Sequence, residues 1–232
     1  MTPETTNLFL SFLSSTSRRS LIAAAKPINL PHKTKLYSPD TTPRYAYFLD
    51  SGLASVVTPM RNGESAEVGF IGSEGIVGGL HLLGSTQMPA RCMIQLAGKG
   101  LRIALTVLQK AFCDSEEIRS GILQFVQCHA AMTGQIAGCN RMHDAEQRLA
   151  RWLLMAWDRT QESALSFTQE YLAEMIAVDR TTVTAIAGDM QRRGLIEYSR
   201  GQLKILNREN LELTACECYP IVKKLFRGLY NR

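Results

Sequence analysis

The sequence predicts an α+β protein: an N-terminal antiparallel β-domain, then one long helix, then a helix-turn-helix followed by a β-hairpin. Three observations predict this class. Prolines and glycines separate short apolar runs between residues 27 and 102, and an apolar stripe with heptad-like spacing occupies residues 115–143. The last third of the chain holds two short helical patterns joined by a tight turn, with two alternating runs after them.

The β-domain is predicted by the runs RYAYFLDSG, LASVVTPM, AEVGFIG and RCMIQLAGKG, each of which is bounded by turn residues. Short strands separated by frequent turn signals are typical of a β-sandwich or barrel, and not of alternating strands and helices. Residues 1–25 predict one or two short helices ahead of this domain, and the segment GIVGGLHLLG is compatible with another one inside it.

The long helix is predicted by a 4-3-4-3 spacing of mostly apolar residues. The members of this stripe are Ile118, Ile122, Phe125, His129, Met132, Ile136, Cys139 and His143. A solitary helix with such a stripe would expose apolar surface to water, so the stripe must pack on the β-domain or on a second copy of the chain. We favour a homodimer, whose interface would consist of Ile118, Ile122, Phe125, His129, Met132 and Ile136. His129 is expected to be a packed polar residue and not a metal ligand.

A further helix is predicted in AEQRLARWLLMAWDRT, where Asp144 is a suitable N-cap. Its pattern buries Leu149, Trp152, Leu153, Ala156 and Trp157, and leaves Arg148, Arg151 and Arg159 outside. The predicted domains are residues 1–110 for the β-domain, 111–143 for the dimerisation helix and 144–232 for the C-terminal domain.

The C-terminal domain contains the segment that predicts a function. Thr168 is expected to begin a short helix, AVD a tight turn with Ala177 where the two helices cross, and Arg180 a second helix that ends at Gly194. The second helix turns Val183, Ile186, Ala187 and Met190 inward. Its outward residues are Arg180, Thr181, Thr182, Thr184, Ala185 and Gly188. One arginine among small hydrogen-bonding residues suits close approach to base edges in the major groove.

The run LIEYSRGQLKILN predicts a β-hairpin around Arg200 and Gly201, which would form the wing of a winged helix-turn-helix. Arg200 at its tip is placed to meet a phosphate or the minor groove. The predicted contacts with double-stranded DNA are Thr168, Gln169, Arg180, Thr181, Thr182, Thr184 and Arg200. The alternative is a packing unit of the same shape that does not touch DNA.

Composition sets wider limits on the function. The net charge of +5 is spread evenly over the chain, so any surface that attracts DNA must be local. The start MTPETTNLFLSFLSS lacks the pattern of a secretory signal, and no run reaches the roughly 18 apolar residues that span a bilayer. We therefore expect a soluble cytoplasmic protein with reduced thiols and no membrane partner.

The segment TQEYLAEMIAVDRTTVTAIAGDMQRRGLI resembles the Crp–Fnr family of bacterial transcription regulators, and the resemblance extends over nearly the whole chain. It implies a jelly-roll-like β-roll effector domain similar to cyclic-nucleotide-binding modules, a long dimerisation helix and a winged helix-turn-helix. It further implies that Arg180 reads a guanine and that Thr168 and Thr182 hold phosphates. The family commonly has Glu and Arg where this chain has Thr181 and Ala185, so only one G·C pair of the half-site is expected.

The resemblance also points to an effector site. Cyclic-nucleotide binders of the family carry Gly-Glu and, about ten residues later, Arg followed by Ser or Ala. Here Gly78 and Gly79 occupy the first place, Pro89 and Ala90 the second, and Arg91 lies two positions away. The effector candidates are Gly78, Gly79, Ala90 and Arg91. Because the carboxylate is missing, we expect this cassette to be degenerate, and the roll to sense another small molecule or to act as a scaffold.

Metal and cofactor sites are not expected. The cysteines are Cys92, Cys113, Cys128, Cys139, Cys216 and Cys218, so the N-terminal cysteine cluster of the family's iron–sulfur sensors is missing. Haem sensing would need an axial ligand such as His81, which is expected instead to be a packed histidine. Cys216 and Cys218 lack a second pair at zinc spacing and are interpreted as reduced and structural, with redox sensing as the alternative.

The predicted function is that of a homodimeric regulator that reads a pseudo-palindromic operator, with RNA polymerase and a small-molecule effector as further partners. Two alternatives are a ligand-sensing β-roll that works through protein contacts without DNA, and a true cyclic-nucleotide-responsive regulator. An enzyme is not expected, since no nucleophile–base pair, metal cluster or phosphate loop is recognisable in the sequence.

Overall fold

The computed structural model of the protein describes residues 5–61, 63, 65–84, 87–160 and 164–230. Its N-terminal half contains two antiparallel sheets that face each other. The first has the order β1-β7-β3, with β1 at Lys26–Leu30, β7 at Gly98–Ala104 and β3 at Tyr45–Leu49. The second has the order β2-β6-β4-β5, with β2 at Lys35–Tyr37, β6 at Arg91–Leu96, β4 at Leu53–Pro59 and β5 at Ser65–Ile71. The predicted antiparallel β-domain is confirmed.

Two short helices precede the sheets, as predicted: α1 (Leu8–Phe12) and α2 (Ser15–Ala24). Asn7 caps α1 by accepting a hydrogen bond from the Leu10 amide, while its buried side-chain amide donates to the carbonyls of Leu49 and Gly75. This single side chain therefore ties the N-terminal helices to the β-domain. The predicted short helix within GIVGGLHLLG is a 3-10 turn at Gly79–Leu82.

The long helix follows a shorter one, α3 (Leu105–Asp114). It is α4 (Glu116–Met142), whose first turn is capped by the Ser115 side chain. The stripe on α4 is buried by the chain itself, against the β-domain, α1 and α9 (Cys218–Arg227). The exposed fractions of Ile118, Ile122, Phe125, His129, Met132 and Ile136 range from 0% to 5%. Side chains with so little free surface have none to bury against a second copy, so their assignment to a dimer interface is wrong.

Gly75 shows how closely α4 approaches the β-domain. A Cβ atom at this position would lie 2.3 Å from the Phe125 ring, which is closer than side-chain atoms can pack. Phe125 and His129 also lie beside Gly79 and Gly69 respectively, in the same groove. The stripe on α4 thus packs on a part of the β-domain where glycines leave room for its side chains.

The C-terminal half is built on α5 (Ala145–Thr160). Around it lie β8 (Leu165–Ser166), α6 (Gln169–Ile176), α7 (Arg180–Arg192), β9 (Ile196–Ser199), β10 (Gln202–Ile205), α8 (Arg208–Thr214) and α9. The prediction that three arginines of α5 stay outside is wrong, because α5 is covered on all sides. Arg151 is 1% exposed and Arg148 9%, and the Arg159 guanidinium pairs with Glu74 at 2.8 Å.

The two halves share a continuous apolar core. Leu53 and Phe70 of the β-domain belong to the same buried cluster as Trp152 of α5 and Met175 of α6. Beside this cluster the buried Glu67 carboxyl group accepts hydrogen bonds from the Trp152 indole and from the Ser55 hydroxyl, each at 2.7 Å. The helix-turn-helix therefore packs against strands β4 and β5 of its own chain.

Among the residues described, no helix is both long enough and apolar enough to cross a lipid bilayer.

Candidate nucleic-acid interface

The first helix of the predicted motif, α6, begins where the sequence indicated. Thr168 is its N-cap: the backbone there is extended, and the side-chain oxygen accepts a hydrogen bond from the Tyr171 amide at 3.2 Å. Tyr171, Leu172 and Met175 hold the inner face of α6 against the core. Since the Thr168 oxygen acts as an acceptor in the cap, its hydroxyl proton stays available for a phosphate oxygen.

The turn between the helices depends on Ala177 and Asp179. Ala177 adopts a left-handed conformation (φ 53°) and is exposed, so it supplies the turn and is not the crossing point that the sequence suggested. Asp179 caps α7 by accepting from the Thr182 amide at 2.8 Å, and it also accepts from the hydroxyls of Thr181 and Thr182. These hydrogen bonds, led by that from Thr181, lower the pKa of Asp179 to about 2.

The second helix presents the residues that the sequence predicted to be outside. Arg180, Thr181, Thr184 and Ala185 are exposed, Thr182 is half-buried, and Val183, Ala187 and Met190 are buried. Ile186, predicted to point inward, is partly buried. A face of small side chains with one guanidinium at its start therefore lies open to solvent.

The two helices are joined across this face by side-chain contacts. Arg180 pairs with Glu170 at 2.7 Å, and the Thr184 hydroxyl donates to the Gln169 side-chain oxygen at 2.8 Å. Both partners of the Arg180 pair are more than half exposed. The structure thus brings Gln169, Arg180 and Thr184 together on one surface.

The predicted wing is present. Strands β9 and β10 pair antiparallel, and Arg200 and Gly201 connect them with φ values of 50° and 77°, as a two-residue hairpin turn of this type requires. The short strand β8 completes a three-stranded sheet. Arg200 is exposed at the tip of the hairpin and lines the same cleft as Thr168.

A comparison with protein-family models finds one match over this region, the Crp-like helix-turn-helix domain, at residues 147–214. The chain has a Crp-like helix-turn-helix domain. No curated protein matches the chain significantly. The predicted motif and its position in the chain are confirmed by this match.

Solved structures share the fold over most of the chain. A Crp/Fnr-family regulator from Eubacterium rectale superposes with a TM-score of 0.70 at 14% identity, covering 88% of this chain and 95% of its own. FixK2 from Bradyrhizobium japonicum gives 0.70 at 14%, covering 83% and 98%. The c-di-GMP-responsive regulator CLP from Xanthomonas campestris gives 0.69 at 16%, covering 84% and 100%. The Crp-like domain is therefore part of a chain that shares the fold of these regulators over most of its length, which confirms the resemblance seen in the sequence as a resemblance of fold.

The effector candidates do not form one site in this Crp/Fnr fold. Gly78 and Gly79 line a cavity of only about 10 Å³ in the β-domain, together with Tyr37, His81 and Phe125. Ala90 is buried, and Arg91 lines a different, interdomain cleft, where it pairs with Glu174 of α6 at 2.9 Å. Arg91 therefore lies apart from the glycine pair with which the sequence grouped it. Positions 85 and 86 of the same segment lie outside the described residues.

His81 and His129, which the sequence offers as candidate ligands, are buried. His81 packs edge-on against the Tyr37 ring, with ring centroids 4.9 Å apart, and burial lowers its pKa. His129 lies against Gly69 and Phe125, and burial lowers its pKa to about 4. Both imidazoles are therefore neutral near pH 7, as expected of packed core residues.

A group of potential metal ligands lies away from the Crp-like domain's exposed helix. Cys139 and His143 at the end of α4 meet Cys216 and Cys218, which flank the start of α9, and their donor atoms all lie within 4.8 Å of one another. This group is not apparent from the sequence, because its halves are separated by more than seventy residues. The local signals were the i, i+4 spacing of Cys139 and His143 and the Cys-Glu-Cys triplet.

Proposed function

We propose that the protein is a cytoplasmic, homodimeric transcription regulator that reads double-stranded DNA through α7. The observation that carries this proposal is the open face of α7, where one guanidinium stands among small hydroxyl and methyl side chains on a Crp-like helix-turn-helix. A helix of this width fits the major groove, and short side chains allow its backbone to approach the base edges.

Arg180 is suited to read a guanine. An arginine at this position can donate two hydrogen bonds to the O6 and N7 atoms of the base. Its present partner, Glu170, is solvent-exposed, and an exposed ion pair contributes only about 0–1 kcal/mol. Exchanging that carboxylate for a base therefore costs little free energy.

Contacts with the phosphate backbone of the DNA would come from the two ends of the helix-turn-helix and wing. Thr168, at the start of α6, retains a donor for a phosphate, and Arg200 extends from the wing. Such contacts fix the register of the protein on the duplex without reading its sequence. Asp179 and Glu170 lie nearby, so acidic and basic side chains are mixed on this surface. Specificity for DNA bases would rest mainly on Arg180.

The homodimer would use the exposed face of α4, opposite the buried stripe. This face includes Leu123, Ala130, Gly134, Ala137 and Arg141, all of which are exposed. A Cβ atom added at Gly134 would meet no atom within 4 Å apart from the neighbouring residues and backbone of its own helix. Small side chains let two helices pack at the short end of the usual 8–10 Å axial separation. A two-fold axis along α4 would present two α7 helices to successive major grooves.

Regulation would act through the docking of α6 on the β-domain. The contacts Arg91–Glu174 and Ser55–Tyr171, at 2.9 Å each, hold α6 against β4 and β6. An effector that binds one arrangement of the two halves better than another would shift their populations and so change the spacing of the two α7 helices.

The test is selection of preferred duplexes from a random pool by the purified protein, followed by affinity measurements on the selected site. We expect a two-fold symmetric site. Arg180→Ala should weaken binding to that site by about 1–3 kcal/mol, which is on the order of 5- to 150-fold, and should relax the preference at one base pair per half-site.

The matched control is Lys224→Ala, which removes one positive charge from an exposed position on α9. It should leave the base preference unchanged. Equal losses by Arg180→Ala on the selected duplex and on a scrambled one would show that Arg180 does not read bases. Failure of the protein to enrich any sequence, with and without cell extract, would favour the alternative of a sensor that acts through protein contacts.

A further inference from the structure

The junction between α4 and α9 contains four side chains of the types that bind soft metal ions. Cys139, Cys216 and Cys218 are 1–3% exposed, and the His143 side chain is 16% exposed. Two come from the last turn and C-cap of α4, one from the segment before α9 and one from the first residue of α9. Three thiols and one imidazole thus converge from two distant parts of the chain.

The distances suit a single ion. The sulfur atoms of Cys139 and Cys216 lie 3.5 Å apart, and the Cys218 sulfur lies 3.6 Å from Nδ1 of His143. In a tetrahedral zinc site with Zn–S bonds of about 2.3 Å, neighbouring sulfur atoms are roughly 3.8 Å apart. All four donor atoms already lie within 4.8 Å of one another, so small shifts of the side chains would let them enclose one ion.

The surrounding groups orient the ligands. Nε2 of His143 lies 3.0 Å from the Glu217 carboxylate, so the opposite ring nitrogen, Nδ1, faces the sulfur atoms. Metal-binding histidines characteristically donate their second N–H to a carboxylate or carbonyl. The Gln135 side-chain amide donates to the Cys218 sulfur at 3.1 Å, which would stabilise negative charge on a thiolate.

We propose that Cys139, His143, Cys216 and Cys218 form a structural site for one divalent metal ion of the Zn²⁺ type. Three thiolates and one imidazole in a closed, buried arrangement are the ligand set of structural zinc. A Cys139–Cys216 disulfide would leave the convergence of Cys218 and His143 unexplained. A cluster of several irons would need its ligands further apart, since each binds a different metal atom. The ion would fasten the end of α4 to the C-terminal helix.

The experiment uses the reduced full-length protein, stripped with a chelator and titrated with Co²⁺ and then Zn²⁺. We expect one Co²⁺ per chain, with thiolate-to-cobalt charge transfer in the near ultraviolet and the intense visible bands of tetrahedral cobalt. Zn²⁺ should displace the cobalt and raise the melting temperature. These readouts do not depend on DNA binding, so they test the site whether or not the proposed function holds.

Four variants locate the site. Cys139→Ser and Cys216→Ser should lose the cobalt bands, whereas Cys113→Ser, an exposed cysteine on α3, should keep them. Glu217→Gln removes only the carboxylate behind His143 and leaves the buried thiols in place. It should weaken metal binding about 10- to 100-fold without loss of the circular dichroism spectrum.

Three results would overturn the proposal. The first is the absence of thiolate–cobalt bands in the wild-type protein. The second is identical metal binding by Glu217→Gln, Cys139→Ser and Cys113→Ser. The third is a Cys139–Cys216 disulfide, or several irons per chain, in the protein purified without a chelator.

Discussion

At the scale of single residues, Glu67 is a buried acidic group where the two halves of the molecule meet. It is 2% exposed at the interface of β5 with α5 and α6. Burial raises the pKa of Glu67 to about 8, against the hydrogen bonds from Ser55 and Trp152, which lower it. The carboxyl group is therefore largely protonated at neutral pH in the folded protein, whereas in the unfolded chain it ionises near pH 4.3.

This difference predicts a pH dependence of stability. Between about pH 4.5 and pH 8 the folded state holds a proton on Glu67 that the unfolded state has lost, so the contribution is fully present at low pH and decreases as pH rises. The slope from this group approaches about 1.4 kcal/mol per pH unit. Glu67→Gln keeps an oxygen to accept from Trp152 and should flatten the dependence.

The measurement is the free energy of unfolding from urea titrations at several pH values. Asp50→Asn is a suitable control, because Asp50 is a less buried carboxylate of the β-domain. An equally steep decrease in Glu67→Gln and in the wild type would mean that another group causes it.

At the scale of elements, α4 has two faces with different roles. The face with the heptad-like stripe packs on the β-domain, and the face with Leu123, Ala130, Gly134, Ala137 and Arg141 is open. The sequence predicted correctly that the stripe is buried, but it assigned the wrong partner. Periodicity identifies an apolar face, whereas the surface that covers it depends on contacts between residues far apart in the chain.

Charges placed on the two faces should have different effects. Ala130→Glu should yield a folded monomer, because two like charges facing each other across a two-fold axis cost about 3 kcal/mol, on the order of 100-fold in the dimer Kd. Ile136→Glu buries a charge inside the chain and should unfold the protein.

Sedimentation velocity and circular dichroism distinguish these outcomes. Val107→Glu, which puts the same charge on an exposed hydrophobic position of α3, should stay dimeric. A dimer of Ala130→Glu as tight as the wild type would remove this face of α4 from the interface.

The helix-turn-helix was predictable from sequence because its signals are local. Thr168 and Asp179 act as N-caps, Gly194 adopts φ 68° after α7, and Arg200 with Gly201 forms the hairpin turn. Each of these features is set by residues within a few positions of one another. The positions of Arg91 and Cys139 were not predictable in this way, since their partners lie 83 and 77 residues away.

At the scale of the whole molecule, the two halves are not independent. One apolar cluster contains Leu53 and Phe70 of the β-domain together with Leu172 and Met175 of α6. Unfolding one half would expose part of the other half's core. We therefore expect a single cooperative thermal transition, in which the calorimetric enthalpy equals the van't Hoff enthalpy.

Met175→Ala tests this coupling. The truncation should cost about 2–5 kcal/mol and lower the melting temperature of the whole chain. Leu213→Ala is the control, because Leu213 is 84% exposed on α8 and should have little effect. Differential scanning calorimetry distinguishes the outcomes. Two separate transitions, with Met175→Ala lowering the melting temperature of only one of them, would contradict a shared core.

The filled interior of the β-roll has a consequence for engineering. The space between Tyr37, His81 and Phe125 measures about 10 Å³, which is room for at most one water molecule. Replacing one of these rings with a small side chain would leave an apolar cavity on the order of 100 Å³. Dry apolar cavities of this size can bind benzene-like compounds. Because Phe125 belongs to α4, we expect an apolar compound that binds in such a cavity to alter the packing of α4 on the β-domain.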